Sequence, residues 1–397
     1  MKVGILGTGF ISDSYLRTLH LHPGLQVIGA YDRDAERARL VADAFKIRSY
    51  ESLGSFLEDG EVELVLNLTN PREHAALTEA CLHSGKHVYS EKPLAMEPEQ
   101  AQSLVAKARS CQSGLGTAPC SVLAPCAQTL WQAIRSGLVG KVRMVYANFD
   151  DGMIAPHAAP WTWRNSLGIP WPARDEFEIG CTYEHAGYFL SWLCSFFGPV
   201  RRLQSFAATC IADKGIPVDK MAPDFTVGCL EFGEGIVARV TCGLVAPKDK
   251  SITVIGEEGI LGVENLRDDY GSVRYQPRVA GPGRARIQRW LRGAQRRLPG
   301  FLPSALRNPI TLRTDRKLPM PTGLPRLPVG GEKRVDFLRG PAEMAAAIRE
   351  GRPNRLPGEL GAHIVEIIHQ LQYPESHPVV LATSFPSLEP MGVNDEN

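Results

Sequence analysis

The chain has 397 residues, a formal net charge of +1, and a composition that is 44% hydrophobic and 22% charged. That balance excludes a fibre, an acidic solvating tail and a strongly basic nucleic-acid binder, and the length suits two domains rather than one core. Nine cysteines, an odd number without a CxxC pair or a His-Cys cluster, read as reduced apolar side chains of a cytoplasmic protein with no metal site. Cys120 and Cys126 stand too far apart in sequence to match a redox motif.

The first residues, MKVGILGTGF, enter an apolar strand and a glycine turn at once. They leave no room for the hydrophobic stretch of a signal peptide, so the mature chain is expected to begin there. From residue 1 to about 120, strand-like and helix-like segments alternate as in a parallel sheet with crossover helices. The strands are KVGIL, QVIGAYD, ELVLNL, HVYS and GLGT, and the helices run from Ile11 to His20, Ala35 to Phe45, Glu73 to Ser84 and Pro98 to Ser110. Strands apolar on both sides belong in a sheet covered on both faces.

After Pro119 the pattern changes to a second, α+β domain, residues 121–397. Ala127 to Ser136 reads as a helix and VRMVYANF as a strand with alternating faces. The segments from Thr226 to Val245 and from Ser251 to Val263 read as adjoining antiparallel strands. Ala186 to Val200 carries no charge but falls short of the ~20 residues a bilayer span needs, and is read as a buried helix. Between Arg274 and Arg326 thirteen basic residues face one acid, Asp315, which makes residues 275–330 a basic insertion. Its piece IQRWLRGAQRRL is a candidate amphipathic helix for an anionic membrane surface, a polyanion or an acidic face of a sister subunit, although a solvated loop is the simpler reading. EPMGVNDEN reads as a frayed tail.

GILGTGFIS sets Gly7 and Gly9 between a strand and a helix, the context of a dinucleotide-binding turn. Gly7 permits the tight turn, and Gly9 lets the backbone of Thr8, Phe10 and Ile11 approach a pyrophosphate. Ser12 replaces the third glycine. Asp32, 25 residues after Gly7, ends the second strand where a carboxylate would accept hydrogen bonds from a ribose diol. Its charge favours NAD over NADP, with Arg33 as a partial offset; a simple N-cap for the next helix is the alternative. Thr69, Asn70 and Pro71 leave the next strand end on the same side, and His74 is placed in the cofactor group with them. Glu91 and Lys92, from GKHVYSEKPLA, follow from the strand after that. A lysine there can hydrogen-bond a substrate hydroxyl and favour its deprotonation, with Pro93 fixing the backbone behind it.

At these residues the chain resembles the glucose-fructose oxidoreductase / inositol dehydrogenase (Gfo/Idh/MocA) family. GILGTGFIS, YDRDAERA, TNPREHAALTEACLHSGKHVYSEKPLA and GLVGKV carry the likeness, which covers nearly all of residues 1–150 and extends more loosely to the helix near Phe337 to Glu350. The resemblance implies an N-terminal Rossmann domain, a C-terminal domain with a large open, mainly antiparallel sheet that builds dimers or tetramers, and NAD(P)-linked chemistry on sugars, cyclitols or nucleotide-sugars. It also implies an Asp-x-Gly-x-His element. Here GCTYEHAGYFLSWLCSFFG puts Glu184 at the aspartate and Tyr188 at the histidine.

Tyr188 would relay the substrate proton, with its pKa lowered by Lys92, and His185 competes for that role. Tyr188 also fits as plain core in an aromatic helix, and His185 as a satisfied buried histidine. In the loop WTWRN, Trp163 is expected to stack on a sugar ring and Arg164 to contact a substrate phosphate or carboxylate. The leading expectation is a dehydrogenase. A sugar-sugar oxidoreductase or glycosidase holding its NAD through a cycle without net redox change is the second, and a non-catalytic NAD-binding assembly protein the third.

Overall fold

A computed structural model describes residues 1–155, 157–278, 315–321 and 334–391. The first domain alternates β1 (Lys2–Leu6), α1 (Ser12–Leu16), β2 (Gln26–Tyr31), α2 (Ala35–Phe45), β3 (Arg48–Ser49), α3 (Leu53–Glu58), β4 (Leu64–Asn67), α4 (His74–His83), β5 (His87–Ser90), α5 (Pro98–Ser110) and β6 (Leu115–Thr117). The strands pair in parallel in the order β3-β2-β1-β4-β5-β6. Val3, Ile5, Leu64, Leu66 and Tyr89 enter one core while Leu6, Val65 and Val88 enter the core on the opposite side, hence strands without a polar face. The winding reverses between β1 and β4, so the carboxyl ends of these two strands open a crevice.

The second domain comprises α6 (Pro125–Arg135), β7 (Val142–Asp150), α7 (Ala173–Ile179), α8 (Cys181–Phe197), β8 (Arg202–Ala208), β9 (Phe225–Glu231), β10 (Val237–Gly243), β11 (Ile252–Gly256), β12 (Gly259–Val263), β13 (Val273–Pro277), β14 (Arg316–Lys317), α9 (Arg339–Glu350), α10 (Gly358–Gln372) and β15 (Val379–Val380). Its sheet runs β14-β13-β12-β11-β7-β10-β9-β8-β15, antiparallel except where β10 meets β7. Alternation sends Val145, Ala147, Phe149, Ala238, Val240 and Leu203 inward, while Met144, Phe206 and Val237 stay exposed on the outer face. The uncharged Ala186 to Val200 run belongs mostly to buried α8, and among the described residues no helix is long and apolar enough to cross a membrane.

α10 packs against α5 of the first domain and against α8 and β8 of the second. Its approach to β6 is close enough that a Cβ on Gly361 would stand 2.8 Å from Thr117 Cγ2. His363, on this helix, accepts the Val200 N–H at Nε2 (2.9 Å) and pairs with Thr383 Oγ1 through Nδ1 (2.8 Å). Burial pulls its pKa from 6.5 down to about 4. The unfolded chain takes up a proton near the ordinary value while the folded one resists it, so this stability is complete above pH 6.5 and is lost as pH falls toward about 4. Urea midpoints measured from pH 7 to 4.5 are expected to fall by the equivalent of roughly 2–3 kcal/mol, a slope that His363→Gln flattens.

Two expectations need correction. The helix predicted over Ile11 to His20 is only α1 followed by a separate 3-10 turn, Leu19–Leu21. Thr18 Oγ1 donates back to Tyr15 O (3.2 Å), local bonding that competes with helix continuation. The tail is not frayed at its start: Glu389 pairs with Arg135 at 2.6 Å and the Met391 amide donates to Gln128 Oε1, docking it on α6. β8 and α10 were not anticipated. Most of the basic insertion, including IQRWLRGAQRRL, lies outside the described residues, as do residues 392–397.

Candidate active site

Gly7 follows β1 with φ +93°, and a Cβ there would stand 2.7 Å from Thr69 N, so the turn admits glycine alone. Gly9 is the opposite case, with open space where its Cβ would be. Among the described residues the N–H groups of Gly9, Phe10 and Ile11 have no protein acceptor, and all three residues line the crevice. Three successive free amides form an anion-binding concavity. Ser12 closes the turn by donating its hydroxyl to Gly9 O (2.8 Å).

Thr8 is buried and does not line the crevice. It donates both its amide (2.7 Å) and its hydroxyl (3.0 Å) to Asp32 Oδ2, so it holds the carboxylate rather than a ligand. Asp32 Oδ1 accepts from the Asp34 amide (2.9 Å) and from Arg37 Nη2 (2.7 Å). Burial alone would raise the pKa of Asp32, but Arg37 and the two amides outweigh it and hold the group ionised. The N-cap of α2 is Asp34, not Asp32. Arg33 is exposed at this end of the crevice, and the cation that pairs with Asp32 is Arg37, which sequence reasoning missed.

At the end of β4, Thr69 donates to Asn67 Oδ1 (2.7 Å), and Asn70 caps the turn Pro71–Glu73 through the Arg72 amide (3.1 Å). Asn70 also donates to Asp175 Oδ2 of the second domain (2.5 Å). His74 braces two strand ends, its Nδ1 2.6 Å from Pro93 O and its Nε2 3.0 Å from Thr69 O.

The charges that close β5 have distinct partners. Glu91 is buried and accepts the Tyr15 hydroxyl (2.7 Å) on one oxygen and the Lys92 amide (2.8 Å) on the other. Lys92 precedes Pro93 through a cis peptide bond, and its Nζ donates to Glu184 Oε2 at 2.5 Å, across the domain boundary. Burial would lower the pKa of Lys92; the Glu184 carboxylate, with help from Tyr188 and Glu91, reverses this and holds it above its ordinary value. Burial and the nearby Glu176 push Glu184 the other way, toward the neutral acid. The short contact and the surplus of negative groups around Nζ favour the ion pair.

α8 presents Glu184, His185 and Tyr188 within about one turn. His185 and Tyr188 both stack on Phe149, at 4.8 and 5.1 Å. His185 Nε2 lies 3.4 Å from Asp151 and 3.2 Å from Glu176, and Asp151 is bonded to Lys250. The Arg267 guanidinium lies 4.4 Å from the centre of the Tyr188 ring. Burial raises the pKa of Tyr188 and outweighs Arg267 and Lys92; Lys92 pulls it down as expected, but the net shift is upward. Trp163 lines the crevice and is 39% exposed. Arg164 does not: it folds back to donate to Trp161 O (3.0 Å) and Trp163 O (2.9 Å).

The cavity they enclose measures about 790 Å³ and runs from Asp32 to His185. Asp151, Glu176, Trp171, Lys250 and Arg267 line it without having been anticipated. Asp151 had a usable signal, since it directly follows a strand end as Glu91 does. Among the described residues no group of three or more His, Cys, Asp or Glu side chains is arranged to hold a metal ion. Free amides at an open glycine turn, a buried ionised carboxylate at the next strand end and an ammonium at the far end fit a nicotinamide dinucleotide.

Fold and crevice thus define a two-domain NAD(P)-dependent oxidoreductase. Residues 1–116 match the model of an oxidoreductase family with an NAD-binding Rossmann fold, and residues 127–262 match the GFO/IDH/MocA C-terminal domain. The chain belongs to the Gfo/Idh/MocA family. It is 26% identical over 271 residues to the trans-1,2-dihydrobenzene-1,2-diol dehydrogenase of Mus musculus, covering 67% of this chain and 75% of that protein. Over 279 residues it is 25% identical to an oxidoreductase of Synechocystis, covering 68% and 73%.

Among solved structures, levoglucosan dehydrogenase in complex with NADH superposes with TM-score 0.76 over 96% of this chain and 99% of that one, at 17% identity. The WlbA dehydrogenase from Bordetella pertussis, in complex with NADH and UDP-GlcNAcA, gives TM-score 0.68 over 97% and 98%, also at 17% identity. At that identity the likeness speaks to fold.

Proposed function

We propose that the protein oxidises a secondary hydroxyl of a sugar, cyclitol or nucleotide-sugar, or reduces the matching ketone, with NAD as cofactor and NADP as an alternative. The observation that carries the reading is the Lys92–Glu184 contact, which joins the end of β5 to α8 inside one cavity. NAD(P) supplies the hydride acceptor, and the amides of Gly9, Phe10 and Ile11, with Asp32 and Arg37, are the residues that would hold it. Related proteins support the substrate class: the mouse relative is named for a cyclic diol, and the structural neighbours for levoglucosan and a nucleotide-sugar acid.

Lys92, held charged, donates a hydrogen bond to the substrate oxygen and stabilises negative charge developing there. A lysine kept protonated is a poor base, so the hydroxyl proton needs another acceptor. His185 suits that task, because it lines the cavity one residue from Glu184, and Asp151 and Glu176 stand 3.4 and 3.2 Å from its Nε2, where they orient the ring. Tyr188, kept protonated by burial, acts as a second donor to the same oxygen. His185→Asn is expected to lower kcat by roughly 10²- to 10³-fold, whereas Tyr188→Phe costs about tenfold. The reverse order would make Tyr188 the relay. Screening sugars and nucleotide-sugars for NADH formation tests the activity as a whole; protein that binds neither NAD(H) nor NADP(H) would end the reading.

The outer sheet face, where Phe206 is 59% exposed and Met144 and Val237 are exposed at another level of the strands, supports a homo-oligomer built through that sheet. Phe206→Asp is expected to shift the light-scattering mass to that of a single chain; a wild type that is already monomeric would refute the assembly. Nine unpaired cysteines and dependence on nicotinamide suit a cytoplasmic enzyme.

A further inference from the structure

A shallow depression of about 350 Å³, largely open to solvent, adjoins the reaction cavity, and Trp171, Pro172 and Asp175 line both. Its volume lies at the lower end of the roughly 300–1,000 Å³ typical of ligand sites. Trp171 is the shared wall, fixed by Trp163 at 5.2 Å and by the edge of Phe177 at 6.4 Å. Trp161 and Ile216 complete an apolar lining, and Arg174 and Asp175 contribute polar groups.

From these features we infer that this depression is a subsite for an uncharged sugar ring, so that the substrate is a glycoside or disaccharide rather than a free monosaccharide or a nucleotide-sugar. The inference rests on the sugar-dehydrogenase reading above and narrows it. An apolar C–H face of a pyranose packs against indole, and its hydroxyls suit carboxylate and guanidinium partners. Charge decides against a nucleotide. Arg174 is bound to Glu178 (3.4 Å) and Asp219 (3.2 Å), while Arg72 lies 3.7 Å from Asp175 and 3.5 Å from Glu178. Asp175 is the one charged side chain that lines both the cavity and the depression, and a diphosphate crossing between them would meet its carboxylate.

The test uses the holoenzyme with NAD and matched sets: glucose, cellobiose, maltose and UDP-glucose, and galactose, lactose and UDP-galactose. NADH formation gives kcat/KM, and saturation-transfer NMR gives binding without turnover. At least one disaccharide is expected to exceed its monosaccharide by roughly tenfold, the order of one aromatic contact, with the ratio falling to about one in Trp161→Ala. Equal ratios, a preference for the UDP-sugar, or a ratio preserved in Trp161→Ala would overturn the subsite. If no sugar is oxidised, the dehydrogenase reading fails separately and NMR decides. Saturation of the second ring that Trp161→Ala abolishes supports the subsite, and its absence refutes it.

Discussion

Lys92→Ala is expected to lower substrate-dependent reduction of the dinucleotide by roughly 10²- to 10⁴-fold while NADH binding changes by less than about threefold. The reason is where the ammonium stands. Its backbone is tied to Glu91, whose other oxygen is tied to Tyr15, and its Nζ is tied to Glu184. None of these bonds holds the glycine turn, so cofactor binding should survive. Removing one member of a buried pair also leaves the other unpaired, which is costly to the fold. The paired variant Lys92→Met with Glu184→Gln removes both charges at similar volume, and it should recover stability without recovering turnover. Equal activity in Lys92→Ala and wild type would remove the lysine from the chemistry.

The second large effect separates two glycines only two residues apart. Gly7→Ala places a side chain at φ +93° and 2.7 Å from the Thr69 amide nitrogen, against the backbone of Leu68 and Thr69 rather than a side chain that could swing away. A loss of roughly 3 kcal/mol or more is expected, visible as a lower urea midpoint together with lost NADH binding. Gly9→Ala puts its methyl into open space on the crevice wall. Stability should stay within about 0.5 kcal/mol while NADH affinity falls at least about tenfold. If both variants behave alike, the turn serves the fold and the free amides at Gly9, Phe10 and Ile11 have no ligand.

Legibility followed how local the determining physics was. α2 matched its expected limits because Asp34 caps it and Lys46, in the left-handed conformation, ends it. β5 matched because the buried pair Val88 and Tyr89 is bounded closely by a glycine turn and a charge. α10 was missed although Leu360, Ile364, Ile367, Ile368 and Leu371 recur at helical spacing, a signal that was there to be used. The site was harder. Whether Arg33 or Arg37 reaches Asp32 depends on the direction each side chain takes as α2 begins, which nearness in sequence does not reveal. The sign of the shift at Tyr188 depends on burial beneath both domains, while a sequence shows only that a cation is available. That Arg164 turns to two carbonyls of its own loop is likewise set by local geometry that residue order does not reveal.

The most direct test follows one atom. Wild-type protein incubated with NAD and a disaccharide deuterated at its carbinol carbons should yield NADH carrying deuterium at nicotinamide C4 by mass spectrometry, and Lys92→Ala should yield almost none. Absence of label from the wild type across deuterated sugars, cyclitols and nucleotide-sugars, or equal label in both proteins, would contradict the assignment of this crevice as the place where hydride leaves the substrate.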